Sequence, residues 1–239
     1  MYSTRERLVS LHLAGMVKAF DQQLGSSAFS AMPFEERLDH LAAMEEHERD
    51  HRTRRRLLRQ AKFKIVADPR EINFEAQRGL DRAYVAELLT CGWIRRCDNV
   101  LITGPAGSGK SFLGSAFGAA AIDCGLSVRY VRTNPILEQM ALAHIDGSIS
   151  KLRHSLISAS LLILDDFGIA PITLRAKEDL LELLEGRIDA GSTIVMGQLA
   201  PEEWHDYLDA PHLADAIIDR LFQRSHRFAL KGTSMRMRL

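Results

Sequence analysis

Between Asn99 and Ala120 the chain reads NVLITGPAGSGKSFLGSAFGAA, a stretch whose residue types and spacing suit the holding of a polyphosphate. Gly104, Gly109, Lys110 and Ser111 fill the fixed positions of G-x-x-x-x-G-K-[ST]. Each type answers a physical need. Glycines let the backbone curl around phosphate oxygens with N–H groups inward and no Cβ in the way. The Lys110 ammonium stands where it reaches β- and γ-phosphates, and the Ser111 hydroxyl can be offered to Mg2+. A helix opening at this point adds its positive dipole end to the same anion. Nucleotide contacts are therefore expected from Gly104, Pro105, Ala106, Gly107, Ser108, Gly109, Lys110, Ser111 and Phe112.

A phosphate loop needs a second strand to bring a carboxylate to the metal, and LLILDDFG supplies one. Leu161 to Leu164 form an apolar run suited to a strand buried on both faces, ending in Asp165 and Asp166. Asp165 is expected on the magnesium side, and Asp166 is placed to polarise or orient an attacking water. Loop and carboxylates together specify a nucleoside triphosphatase. Phosphoryl transfer depends on positioning and charge stabilisation, so polar groups should surround the γ-phosphate. Gln198, ending the next strand in STIVMGQL, could hold the water or a phosphate oxygen, or be a plain loop glutamine. Arg220 and Arg236 could reach phosphate in cis or in trans, or lie on the solvated surface.

A different chemistry is offered by HERDHRTRRRLLRQAKFK, where eight Lys or Arg residues occur from Arg49 to Lys64 against one acid. At helical spacing Arg49, Arg52, Arg55, Arg56, Arg59 and Lys62 share one side, with Leu57, Leu58, Ala61 and Ile65 opposite. Such a row suits the phosphate backbone of duplex DNA, read without base specificity. Aromatic residues are few there, which argues against stacking on single-stranded bases. His47, Glu48 and His51 also spell H-E-x-x-H, but acids and bases flank them and no third-ligand pattern follows. The spacing is therefore read as a solvated helix and not a zinc protease.

These groups must be positioned by a fold, and the pattern names one. Short apolar runs (VLIT, SVRYV, LLILDD, STIVM) alternate with helical stretches after Asn99, as in an α/β domain with a parallel sheet flanked by helices. Before it, Leu8, Leu11, Met16, Val17, Phe20 and Leu24 recur at helical spacing, and residues 34–64 contain no Gly or Pro. We expect a small all-helical N-terminal domain over 1–70, for DNA and partner contacts, and the ATPase domain over 71–239. A further short helix is expected over Leu80–Thr90. Lys plus Arg and Asp plus Glu each number 31, which excludes a uniformly basic DNA-coating protein but not local basic patches. The apolar runs are too short for a membrane span, and the N-terminus is too charged for a signal peptide. Cys91, Cys97 and Cys124 form no C-x-x-C pair. Free thiols in a reducing cytoplasm follow.

The order GPAGSGKS, LLILDDFG, GQLAPEEWHDYL, ADAIIDRLFQRSHRFALKG and SMR resembles the IstB-type transposition helper ATPases of the AAA+ superfamily, close to the DnaC and DnaI helicase loaders. The resemblance covers nearly the whole chain. It implies that Lys110, Ser111 and Asp165 bind ATP and Mg2+ and that Asp166 is the catalytic carboxylate. It implies Gln198 as sensor 1, Arg220 as a finger entering a neighbouring subunit and Arg236 as sensor 2. Its expected partners are double-stranded DNA, an IstA-type transposase and further copies of the chain. Two positions depart from the pattern. Asp166 stands where many AAA+ proteins carry Glu, and Gly197 stands where relatives tend to carry Ser, which would loosen the strand end. The competing reading is a helicase-loader ATPase acting in replication; a small-molecule kinase is disfavoured because no lid-like arginine cluster follows the DD strand.

Overall fold

The computed structural model describes residues 3–75, 78–232 and 234. The chain divides into two compact units, Met1–Arg56 and Leu57–Leu239. The first is helical: α1 (Thr4–Ser10), α2 (Ala14–Gly25) and most of α3 (Phe34–Ala61). Helix α1 starts on a capping box in which the Ser3 hydroxyl accepts from Glu6 N at 3.2 Å and Ser3 N donates to Glu6 Oε2 at 2.7 Å. Helix α2 has no such cap of its own. The buried Glu45 takes that role from α3, accepting from the backbone N–H groups of Gly15 at 2.8 Å and Met16 at 3.3 Å. Burial pushes the Glu45 carboxyl up, but Arg49 and those two amides outweigh it and hold the group below its ordinary value.

The division between units falls inside α3, at Arg56–Leu57, and not near residue 70. The physical reason is that Leu57 and Ala61 are buried in the core of the second unit, with Phe63 packed against it. Helix α3 also stops at Ala61, earlier than the absence of Gly and Pro through Lys64 suggests. Lys62 adopts the left-handed conformation (φ 55°) that ends many helices, usually at glycine. Lys62 and Ile65 therefore leave the two helix faces to which their spacing assigns them.

The second unit holds the five-stranded parallel sheet: β1 (Asn99–Thr103), β2 (Val128–Arg132), β3 (Leu161–Phe167), β4 (Ser192–Gly197) and β5 (Ser225–Ala229). Their order is β2-β3-β4-β1-β5, with every pairing parallel. The helices are α4 (Arg82–Leu89), α5 (Gly92–Arg95), α6 (Lys110–Asp123), α7 (Thr133–Ile145), α8 (Ile149–Ile157), α9 (Leu174–Arg187), α10 (Trp204–Leu208) and α11 (Pro211–Phe222). Alternation along the strands divides the core into two layers. Val100, Ile102, Ile163, Ile194 and Met196 face α6 and Trp93, while Leu101, Leu162, Leu164 and Val195 face Trp204 and the apolar sides of α7, α9 and α11. Helix α6 lies close to the sheet because it is built of small residues. A Cβ on Gly114 would strike Met196 Sδ, and one on Gly118 would lie 3.0 Å from Ile163 Cδ1. No described helix is long and apolar enough to cross a membrane.

Order-two topology places β4 between β1 and β3, so the loops after all three strands meet at their carboxyl edge. The opposite edge is tied by Arg187, which is 2% exposed. Its guanidinium donates to the carbonyls of Leu156 (2.7 Å), Ala159 (2.9 Å) and Ser192 and to Thr193 Oγ1 (3.0 Å), joining the approach to β3 with the start of β4. Burial depresses its pKa to about 10, so it stays charged at neutral pH. Arg187→Met should strand at least two buried carbonyls and cost about 3 kcal/mol. The thermal unfolding midpoint should then fall by about 6–12 °C, against a smaller drop for Arg187→Lys. Equal midpoints for wild type and Arg187→Met in calorimetry would refute the tether.

Candidate functional site

A cleft of about 480 Å³ opens at the carboxyl edge of the sheet. Lys64, Ile65, Ala106, Gly107, Gly109, Lys110, Ser111, Phe112, Asp165, Asp166, Ile169, Met196, Gly197 and Gln198 line it. The loop from β1 to α6 passes through three left-handed glycines, Gly104 (φ 145°), Gly107 (φ 78°) and Gly109 (φ 94°). Any Cβ there would strike a fixed neighbour: the Leu230 carbonyl for Gly104, Ser234 for Gly107 and the Arg78 guanidinium for Gly109. Lys110 Nζ donates to the carbonyls of Gly104 at 2.7 Å and Pro105 at 2.9 Å, arching over the loop it belongs to. Of the nucleotide contacts expected here, Ala106, Gly107, Gly109, Lys110, Ser111 and Phe112 line the cleft. Gly104, Pro105 and Ser108 shape the loop instead, with Ser108 wholly buried.

The two aspartates sit where β3 loses register with β4, in the irregularity between Leu164 and Phe167. Such bulges re-aim side chains. Asp166 takes φ 61° and stays partly exposed, whereas Asp165 is 1% exposed. A buried carboxylate must be matched by donors. Asp165 Oδ2 accepts from Ser111 Oγ at 2.8 Å and from the Tyr130 hydroxyl, and Oδ1 accepts from Asp166 N at 2.8 Å. Burial first, and then the Asp165 carboxylate, push the Tyr130 phenol far up, keeping it a donor. Thr133 Oγ1 donates to the Asp165 carbonyl at 3.0 Å. Ser111 and Asp165 thus present two adjacent hard oxygen groups beside the phosphate loop, a set that suits Mg2+ completed by phosphate and water.

Gln198 follows β4 directly and is exposed on the cleft wall between loop and aspartates. The glycine before it does not loosen the strand end. Gly197 pairs with both Thr103 and Phe167, and a Cβ would come within 2.5 Å of the Phe167 carbonyl. Glycine is the residue that lets β4 close on the bulged β3.

Arg220 is not brought to this cleft. Its carbonyl accepts from Asn99 Nδ2 at 2.9 Å, at the amino end of β1, and its guanidinium meets Glu185 at 3.1 Å. Arg236 lies outside the described residues. On α3, Arg49, Arg52, Arg55, Arg56 and Arg59 are exposed. Two of them are paired one turn back, Arg49 with Glu45 at 2.9 Å and Arg52 with Glu48 at 3.3 Å. Glu48 of the H-E-x-x-H spacing also accepts from Lys18 at 2.7 Å, so its carboxylate is committed to cations.

Sequence reasoning missed Tyr130, Lys64 and Arg78. The alternation Val128, Tyr130 in β2 marks Tyr130 as inward-facing, and a strand neighbouring β3 would bring its hydroxyl to the aspartates. Arg78 is 5% exposed and donates to the carbonyls of Ser108 at 3.1 Å and Asn73, bracing the phosphate loop from below; burial lowers its pKa. Nothing local in FEAQRGL signals that role.

A P-loop whose carboxylate strand is separated from it by one strand, with a polar residue ending that middle strand, defines an ATPase of the AAA+ class. The fold of DnaI is similar (TM-score 0.61, 14% identity, 74% of this chain and 94% of that one). The family model described as IstB-like ATP binding protein matches residues 6–239, and the chain belongs to that family. An insertion sequence ATP-binding protein of Sinorhizobium fredii is 38% identical over 235 residues, covering 98% of this chain and 96% of its own length. The IS1162 ATP-binding protein of Pseudomonas fluorescens is 38% identical over 198 residues, 82% and 85% of the two chains.

Tyr130→Phe keeps the ring in place and removes one donor from Asp165. ATP turnover should fall about tenfold and the Mg2+ needed for half-maximal rate should rise. Unchanged turnover and Mg2+ dependence would show that Ser111 and the Asp166 amide hold Asp165 without it.

Proposed function

We propose that this chain is the ATP-dependent DNA-binding helper of a transposase, assembling as a homo-oligomer on duplex target DNA in the cytoplasm and stimulating insertion. The observation that carries this reading is the joining of an AAA+ nucleotide cleft to a helix bearing a row of exposed arginines, in a family whose relatives are insertion sequence proteins. A helicase-loader role in replication is the other reading. The likeness to DnaI is one of fold at 14% identity and favours no partner.

In the proposed reaction Lys110 and the loop amides hold the phosphates, and Ser111 and Asp165 are the residues that would hold Mg2+. When bound there, the ion would supply positive charge to offset that of the polyphosphate. Asp166, part-exposed beside the cleft, orients the attacking water, and Gln198 steadies it or a γ-phosphate oxygen. Arg220 lies at the far edge of the sheet from its own cleft, so a role in phosphoryl transfer requires it to act on a neighbouring subunit. Arg236 is assigned to sensing the bound nucleotide.

Two measurements test the assignment. Lys110→Ala should abolish ATP binding, whereas Asp166→Asn should bind ATP and fail to hydrolyse it. Equal loss of binding in both would mean that the two aspartates have been assigned the wrong way round.

The DNA reading is tested on α3. Changing Arg52, Arg55, Arg56 and Arg59 to Gln preserves helix propensity while removing charge. With about four phosphate contacts per subunit, log K should fall with log salt at a slope near −3.6, and the variant should bind weakly with a flatter slope. Both effects should be independent of DNA sequence. Wild-type affinity and slope in the variant, read by fluorescence anisotropy with ATP present, would reduce the row to a solvated face.

A further inference from the structure

The residues just after α3 lie beside both carboxylates of the cleft. After Lys62 turns the chain, the Phe63 ring packs edge-on against Tyr130, with centroids 6.1 Å apart. It fills the space left by Gly118, where a Cβ would come 2.7 Å from Phe63 Cε1. Tyr130 in turn donates to Asp165. The next residue, Lys64, puts its Nζ 3.9 Å from Asp166 Oδ2 and lines the cleft together with Ile65. One short segment thus braces Asp165 through a tyrosine and places a cation beside Asp166.

Lys64 differs from a solvated surface lysine in two respects. It follows directly on the packed Phe63 ring, so its side chain starts beside the two aspartates. At 3.9 Å the contact with Asp166 is an ion pair too long to be a hydrogen bond, and Lys64 donates to no other group among the described residues. Lys110, by contrast, donates to two carbonyls of its own loop. Among the described residues lining the cleft, Lys64 and Lys110 are the cations. They approach from different sides, Lys110 from the loop after β1 and Lys64 from beside β2 and β3.

We propose that Lys64 is a catalytic cation of the nucleotide site, facing the γ-phosphate of ATP beside Asp166. This rests on the reading of the cleft as the site of ATP hydrolysis. In that step the water oxygen bonds to the γ-phosphorus as the bond to the β,γ-bridging oxygen breaks, its electron pair leaving with ADP. The water's proton passes by way of Asp166 to the released phosphate. Negative charge on the γ-phosphoryl oxygens is stabilised by nearby cations, and Lys64 adds one on the side that Lys110 does not cover. The 45% exposure of its side chain leaves the ammonium free to swing from Asp166 towards a phosphate oxygen.

The test uses the full chain, with Lys64→Met and Lys64→Arg compared in steady-state ATP hydrolysis. Calorimetry measures the binding of ADP and of a non-hydrolysable ATP analogue to each. Lys64→Met should lower kcat about tenfold or more, and Lys64→Arg should retain most of it. Affinity for the analogue should drop in Lys64→Met while affinity for ADP stays within about twofold, because only the γ-phosphate meets this cation. Lys64→Gln repeats the comparison if the Met variant melts early. Wild-type kcat in Lys64→Met, equal losses for ADP and analogue, or a rise in kcat would each overturn the proposal; a rise would mean that Lys64 restrains Asp166. If the wild type itself binds nucleotide but hydrolyses none, the ATPase reading fails, and the comparison of analogue with ADP still decides whether Lys64 meets the γ-phosphate.

Discussion

A carboxylate with 1% exposure, placed one residue before a second carboxylate, is the most demanding feature of this molecule, and much of the second unit is arranged around it. Taking Asp165 out of water is costly unless its oxygens are met by donors. The three donors come from three places: Ser111 from the start of α6, Tyr130 from β2, and the Asp166 amide from the bulge itself. The Asp166 amide is local, but Ser111 and Tyr130 come within reach only when the sheet has formed in the order β2-β3-β4-β1-β5. Asp165 is therefore both the product of the topology and a check on it. A strand out of register would leave the carboxylate buried without partners.

The close packing around it serves the same end. Helix α6 must begin where the phosphates will lie, yet its body must sit tight on β1, β3 and β4. Gly114 and Gly118 allow that approach by leaving room for Met196, Ile163 and Phe63. Gly197 does the same at the end of β4, where the bulged Phe167 carbonyl leaves no space for a Cβ. Small residues at the sheet edge thus help to set the spacing between the phosphate loop, Gln198 and the aspartates. The apolar layers beneath carry the free energy, and these contacts convert it into position.

What could be read from the chain before its structure divides along a physical line. The phosphate loop and the aspartate strand were legible because their chemistry constrains neighbouring residues: a turn without Cβ atoms, a lysine and a hydroxyl at set spacing, an apolar run ending in acid. Strands β1 to β4 were legible for the same local reason, their burial showing as apolar runs. Strand β5 (SHRFA) was not, because only Phe228 in it is buried and its polar and charged residues resemble those of a loop. Tyr130, Arg78 and Lys64 were hidden because the partners that tie them to the site lie 30 or more residues away. The end of α3 was hidden because lysine seldom takes the left-handed conformation that Lys62 adopts, which lets Phe63 pack against Gly118 and Tyr130.

The arginines show why residue type alone could not finish the reading. Arg187 and Arg78 are buried and spend their donors on backbone carbonyls, one tying the amino edge of the sheet and the other bracing the phosphate loop. Both are structural, although either in a sequence motif would pass for a phosphate ligand. Arg220 is 29% exposed, and its Nε is buried without a hydrogen-bond partner. Its Nη groups meet Glu185 and Asp219, two acids with exposures of 47% and 74%, and one carbonyl a turn back, that of Ala216 at 3.3 Å. Ion pairs with such exposed acids are weak and readily exchanged, whereas five carbonyl and hydroxyl partners in the interior, as at Arg187, are not. A guanidinium held in this way, at the amino edge of the sheet, can exchange its present partners at little cost. One held as Arg187 is held cannot. The difference between a structural arginine and one open to a new partner is set by how strongly its present partners hold it.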